Sequence, residues 1–122
     1  MNAVMELEKS LGHSPRDVSA DKCGYDIEST DGNTGRLRFL EVKGRHIDAE
    51  TITVTRNEIV VGINSSESYF LVIVQIEPTG DSHNVRKPVY IKNPFEREPD
   101  FEAASLNYKV ADMLSKAIQP TS

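Results

Sequence analysis

The chain has 122 residues, enough for one hydrophobic core and too few for two. With 38% hydrophobic and 27% charged residues it reads as an ordered globular domain over 1–122; no apolar run would span a bilayer, and no basic-then-apolar leader opens it. A single cysteine, Cys23, excludes a disulfide framework and points to the cytoplasm, and a net charge of −5 speaks against binding nucleic acid by charge alone.

In chain order, residues 2 to 12 predict a helix, with Val4, Leu7 and Leu11 on one stripe, Gly12 just past the end and Pro15 as a stop. Glu8 flanks that stripe while Glu6 points away, so Glu8 is the better candidate if the helix offers a carboxylate; the alternative leaves both glutamates in solvent. Beginning so directly in a helix suggests a piece of a larger protein. Residues 16 to 18 suit a short edge strand. Residues 24 to 30 and 36 to 43 predict a hairpin across a loop of two glycines, Asp31-Gly32-Asn33-Thr34-Gly35. Along the second strand Leu37, Phe39, Glu41 and Lys43 share one face, and Arg38, Leu40 and Val42 the other. A strand whose inward side passes from apolar to Glu-x-Lys buries charge, which is costly unless paired or metal-bound.

Residues 50 to 54 extend this strand pattern, and Thr55-Arg56-Asn57-Glu58 has the form of a capping box for a helix to about Asn64. Tyr69 to Ile76 is nearly continuously apolar, as in a strand buried on both faces and reached by a crossover. A polar loop over 78–84, an edge strand from Val85 to Lys92, an acidic connection from Asn93 to Glu102 and a helix over 104–118 complete the order α-β-β-β-α-β-β-α, an α/β domain with a mixed sheet.

The hairpin sets Asp26 on one strand and Glu41 with Lys43 on the next. Two carboxylates can hold magnesium, or manganese in its place, with the Val42 carbonyl as a further oxygen; Lys43 could orient a water or steady a phosphate. Arg36, Arg38, Lys43, Arg45, His46 and Arg56 lie close to the hairpin in sequence and suggest a basic rim, with Arg45, His46 and Arg56 as phosphate contacts or, alternatively, solvated charges. His13, His46 and His83 lack metal-ligand spacing, and no Gly-rich phosphate loop or nucleophile elbow is present.

Gly24-Tyr25-Asp26-Ile27, the turn and Glu41-Val42-Lys43-Gly44 resemble the PD-(D/E)xK nuclease superfamily motif. More narrowly, Asp17-Val18-Ser19, Gly24-Tyr25-Asp26, Glu41-Val42-Lys43-Gly44, Thr55-x-x-Glu58 and Asn93-Pro94-Phe95 are similar to the NO VEIN C-terminal-type domain, found in plant proteins and fused to Swi/Snf-type helicases and restriction or phage-defence proteins. The resemblance implies a restriction-endonuclease-like αβββαβ core and a magnesium-dependent nuclease acting on DNA. Asp26, Glu41 and Lys43 would be its catalytic residues, with a helicase or restriction-type partner domain; a homodimer is a further candidate assembly. Superfamily members can also lose activity and remain as binding or scaffold domains. Tyr25, Glu8 and Glu58 are candidate supporting residues. Packing is an alternative explanation for Tyr25, and the capping box for Glu58.

Overall fold

The computed structural model describes residues 1–80, 82–100 and 102–120; the expected loops over 78–84 and 93–102 therefore include positions, 81 and 101, outside the described residues. The elements are α1 (Asn2–Ser10), β1 (Ser14–Asp17), β2 (Ile27–Thr30), β3 (Leu37–His46), β4 (Thr51–Thr55), α2 (Arg56–Asn64), β5 (Tyr69–Thr79), β6 (Ser82–Val85), β7 (Val89–Lys92), β8 (Ser105–Lys109) and α3 (Val110–Leu114). The mixed α/β class holds. A six-stranded mixed sheet runs β1-β2-β3-β5-β6, with β7 also on β5, and a separate ribbon pairs β4 with β8. β3 and β5 are parallel, Glu41 facing Leu71 and Lys43 facing Ile73, and β4 with α2 makes the connection between them.

Alternation along β3 and β5 divides the core between the two faces of the sheet. Val4 of α1 packs with Ile27, Leu40, Phe70, Val72, Val74 and Tyr90 on one side. On the other, Tyr69, Leu71 and Ile73 meet Ile59 of α2, Ile52 and Val54 of β4, Phe95, and Val110 and Met113 of α3. α1 ends as its residues dictate: Gly12 takes φ +91, which glycine tolerates best, and the His13 amide donates to the Glu8 carbonyl at 3.0 Å.

Four expectations are corrected. The helix over 104–118 is instead a strand followed by a short helix. Leu106, Val110, Met113 and Ala117 make a helical stripe, but Leu106 and Tyr108 also fit period two, and β8 forms because the edge of β4 needs a partner, Val54 facing Leu106 and Ile52 facing Tyr108. Residues 50–54 accordingly belong to this ribbon rather than extending β3. The polar loop over 78–84 instead carries the end of β5 and most of β6, and of the edge strand over 85–92 only Val85 belongs to β6 and 89–92 to β7; Pro88 between them has no amide for the ladder, so strand pairing to β5 restarts at Val89. No helix among the described residues is long and apolar enough to cross a membrane.

Candidate active site

The start of β2 builds the first wall of the site. Ile27 faces Leu40 in the ladder, but one residue earlier Asp26 leaves it. The Asp26 amide donates to the Leu40 carbonyl at 2.9 Å, and its Oδ2 accepts the Val42 amide at 2.9 Å in place of a main-chain carbonyl. A carboxylate thus closes the ladder where an extra strand residue would have done so, and β2 begins at Ile27 rather than at Gly24. Gly24 takes φ +92 and lies against α2: a Cβ there would stand 2.8 Å from Val61 Cγ2. The Tyr69 hydroxyl donates to the Gly24 carbonyl at 2.9 Å from below. Burial, then the charges of Glu41, Glu58 and Asp26, hold that phenol well above its ordinary range, so it keeps the proton it donates.

Glu41 and Lys43 point to the α2 side of the sheet, as the alternation of β3 predicts. Lys43 Nζ lies 3.2 Å from Glu41 and 3.0 Å from Glu58 Oε1. Glu58 is in reach because it is the third residue of α2, inside the capping box: its amide donates to Thr55 Oγ1 at 3.2 Å and its Oε1 accepts the Thr55 amide at 2.9 Å. One glutamate therefore caps a helix and holds the lysine, so the capping and supporting explanations of Glu58 both apply.

Asp26, Glu41 and Glu58 line a cleft of about 240 Å³ together with Ser19, Lys22, Gly24, Tyr25, Thr55 and Asn57, and Lys43 lies behind them against Glu41 and Glu58. Glu41 is 3% exposed, and burial first, then a hydrogen bond with Glu58 and the charges of Asp26 and Glu58, push its pKa up to about 10 against the pull of Lys43. Burial works against the Lys43 ammonium as well, but Glu41 and Glu58 outweigh it and raise its pKa. Burial would raise Glu58 too; the Glu41 hydrogen bond, the Thr55 amide and Lys43 prevail and hold it below the usual range. Within the pair, the neutral form is therefore favoured at Glu41 and the ionised form at Glu58.

Among the described residues no three His, Cys, Asp or Glu side chains form a ready cage for a metal. Magnesium does not require one, since it binds through one or two carboxylates and completes its shell with water and phosphate oxygens. Asp26 and Glu41 supply hard oxygen donors. Burial and the neighbouring carboxylates disfavour a charge on Glu41, and a divalent cation in the cleft would offset that.

Of the remaining candidates Tyr25 is at the cleft and the others are not. Tyr25 lines the cleft and stacks on Phe39, centroids 4.6 Å apart, so packing and lining coincide; burial, then the Cys23 thiol and Glu28, push its phenol up to about 12. Glu8 is neither in the site nor solvated. It is fully buried on the opposite face, paired with Arg38 and accepting from the Tyr90 hydroxyl at 2.8 Å, because the stripe it flanks packs directly over the Arg38 side of β3. The basic rim is likewise dispersed, since Arg38 is bound to Glu8 and stacked 4.9 Å over Phe70, and Lys43 is turned inward. Arg56 is half-buried, its Nε donating to the Ala103 carbonyl at 2.8 Å, which makes it a tie to the β8 approach rather than a free phosphate contact. Arg45 is exposed and donates to the Thr51 carbonyl at 3.2 Å; exposed His46 accepts the Asp48 amide at 3.2 Å. Neither lines the cleft.

The chain order gave little signal for Ser19, Lys22 and Asn57 as lining residues. The best clue is Asp17, whose Oδ1 accepts both the amide and the hydroxyl of Ser19, at 2.9 and 2.7 Å, shaping the turn that brings Lys22 to the cleft.

No curated protein matches the chain. The family described as Protein NO VEIN, C-terminal, matches residues 1–91, a span that includes Asp26 with its Val42 clasp, the Glu41–Lys43 segment of β3 and the Thr55–Glu58 capping box. With a match over that much of the 122 residues, the chain belongs to the NO VEIN C-terminal family.

Proposed function

We propose that this domain is a magnesium-dependent nuclease-like module that hydrolyses DNA phosphodiester bonds, on a restriction-endonuclease-like core, in a helicase, restriction or phage-defence context. One observation carries the reading: Asp26, fixed by the Val42 amide, opens into the same cleft as Glu41, with Lys43 3.2 Å from Glu41. Magnesium bound there supplies activation of a water and neutralisation of charge at phosphorus. Asp26 and Glu41 offer the oxygen ligands, Glu41 giving up its proton as it does so. Lys43, then less tightly held by Glu41, directs its ammonium at the attacking water or a phosphate oxygen, while Glu58 limits how far it can swing. A net charge of −5 gives the domain little intrinsic hold on DNA, which is why delivery by a partner domain belongs to the proposal.

The test is cleavage of duplex and single-stranded DNA, and of RNA, in magnesium or manganese. Wild type should cut, and Glu41→Gln and Lys43→Ala should each cut at least about 100-fold more slowly. Intact substrates in both metals, with no metal bound by calorimetry in the presence of a DNA ligand, would overturn the reading.

A second reading has an observation of its own. Lys43 is engaged by both Glu41 and Glu58, so the cluster is internally satisfied as it stands. In that case the domain is a catalytically inactive nucleic-acid-positioning or protein-interaction module, whose binding survives Glu41→Ala and Lys43→Ala and which never cuts.

A further inference from the structure

One cation of the cleft has no part in the arrangement above. Lys22 lines it with Asp26 and Glu41, is exposed, and its ammonium makes no hydrogen bond or ion pair among the described residues. Several cations around the hairpin are engaged elsewhere: Lys43 by Glu41 and Glu58, Arg38 by Glu8, Arg45 by the Thr51 carbonyl, and Arg56 through its Nε by the Ala103 carbonyl, its Nη2 being buried without a partner among the described residues. Lys22 also sits at φ 51, ψ 42, in the left-handed region that non-glycine residues seldom occupy. The frame around it is fixed. Asp17 holds Ser19, the Asp21 amide donates to the Val18 carbonyl at 2.9 Å, and Gly24 is clamped between Val61 and the Tyr69 hydroxyl. Strain retained in a rigid frame at the edge of a cleft is a recurrent mark of a ligand contact.

We infer that Lys22 contacts a phosphate of the nucleic-acid backbone, its ammonium meeting a non-bridging oxygen as the strand enters the cleft. This rests on the nuclease-like reading of the cleft. A phosphodiester satisfies both halves of the wall at once: its associated divalent cation suits the carboxylates, and its remaining anionic oxygen suits the ammonium.

The experiment is fluorescence anisotropy of labelled duplex and single-stranded oligonucleotides in magnesium over a salt series. It compares wild type with Lys22→Ala, Lys22→Arg, Lys22→Gly and the exposed control Lys87→Ala. Lys22→Ala should weaken binding by about three- to fivefold and flatten the slope of log affinity against log salt by about one, with arginine restoring both. Lys22→Gly should bind like alanine while keeping the wild-type melting temperature, since glycine accepts the left-handed backbone; a purely structural lysine would give the opposite split. Lys22→Ala matching Lys87→Ala in affinity and slope overturns the assignment. If wild type binds and cuts and the Lys22 variants do the same, the assignment fails alone. If wild type neither binds nor cuts, the reading of the cleft fails and takes the assignment with it. Binding that depends on Lys22 without cleavage in either metal supports the contact and removes only hydrolysis.

Discussion

Replacing Glu41 by glutamine exchanges a buried carboxyl for a neutral amide of the same shape. In the folded chain burial, Glu58 and Asp26 carry this group from 4.5 to about 10; unfolded, it returns to its ordinary value. Between those limits the folded state holds a proton the unfolded state has lost. The stability contributed by Glu41 is therefore fully present below about pH 4.5 and declines as pH rises toward 10. Each pH unit inside the window removes about 1.4 kcal/mol. From about pH 6 to pH 8 the wild type should lose about 3 kcal/mol relative to Glu41→Gln, a substantial part of a domain stability of roughly 5–15 kcal/mol. Urea unfolding with EDTA present, at several pH values across that range, reads the difference directly from midpoints and slopes. A wild-type-minus-variant difference that stays flat with pH would show that Glu41 is ionised in the folded, metal-free protein, and the account of the cluster would be wrong.

Magnesium binding at neutral pH should release about one proton, because Glu41 must deprotonate to become a ligand; calorimetry in two buffers of different ionisation heat would give different apparent enthalpies, and equal enthalpies count against Glu41. Thr55→Ala removes the acceptor of the Glu58 amide and should cost about 1 kcal/mol in chemical denaturation, while loosening the grip of Glu58 on Lys43. Gly62→Ala places a Cβ 2.7 Å from Phe95 Cδ2 and 3.1 Å from Tyr69 Cδ1, and should lower stability by about 1–3 kcal/mol through overpacking; an unchanged melting temperature would mean that Phe95 moves freely.

Legibility in the sequence followed the strength of local signals. The alternation of β3, the capping box at Thr55 and the two-faced burial of β5 could be read directly, because each is a period or spacing that one element imposes on itself. The same alternation places Glu41 and Lys43 on one face. What could not be read depended on a distant partner. Leu106 fits a helical stripe with Val110 and Met113 and a strand alternation with Tyr108 alike, and only pairing with β4 decides between them. Glu8 looks like a borderline surface residue until Arg38 and Tyr90, 30 and 82 positions away, are brought against it. Arg56 carries the charge expected of a phosphate contact, yet the Ala103 carbonyl is what it meets. The Asp26–Val42 clasp was hidden because a side chain standing in for a strand carbonyl leaves no periodic trace.

The family match ends at residue 91, inside β7, whereas the described wall over α2 and β4 is completed by Phe95, β8 and α3. The chain also returns to β7 afterwards, the Ile118 amide donating to the Tyr90 carbonyl at 2.8 Å. Domain boundaries chosen for recombinant expression, or for grafting this module onto another protein, should follow that packing and not the extent of sequence similarity. A fragment stopped at the family limit would strip Ile52 and Val54 of their cover and leave β4 with an open edge, the kind of surface that draws chains into aggregates.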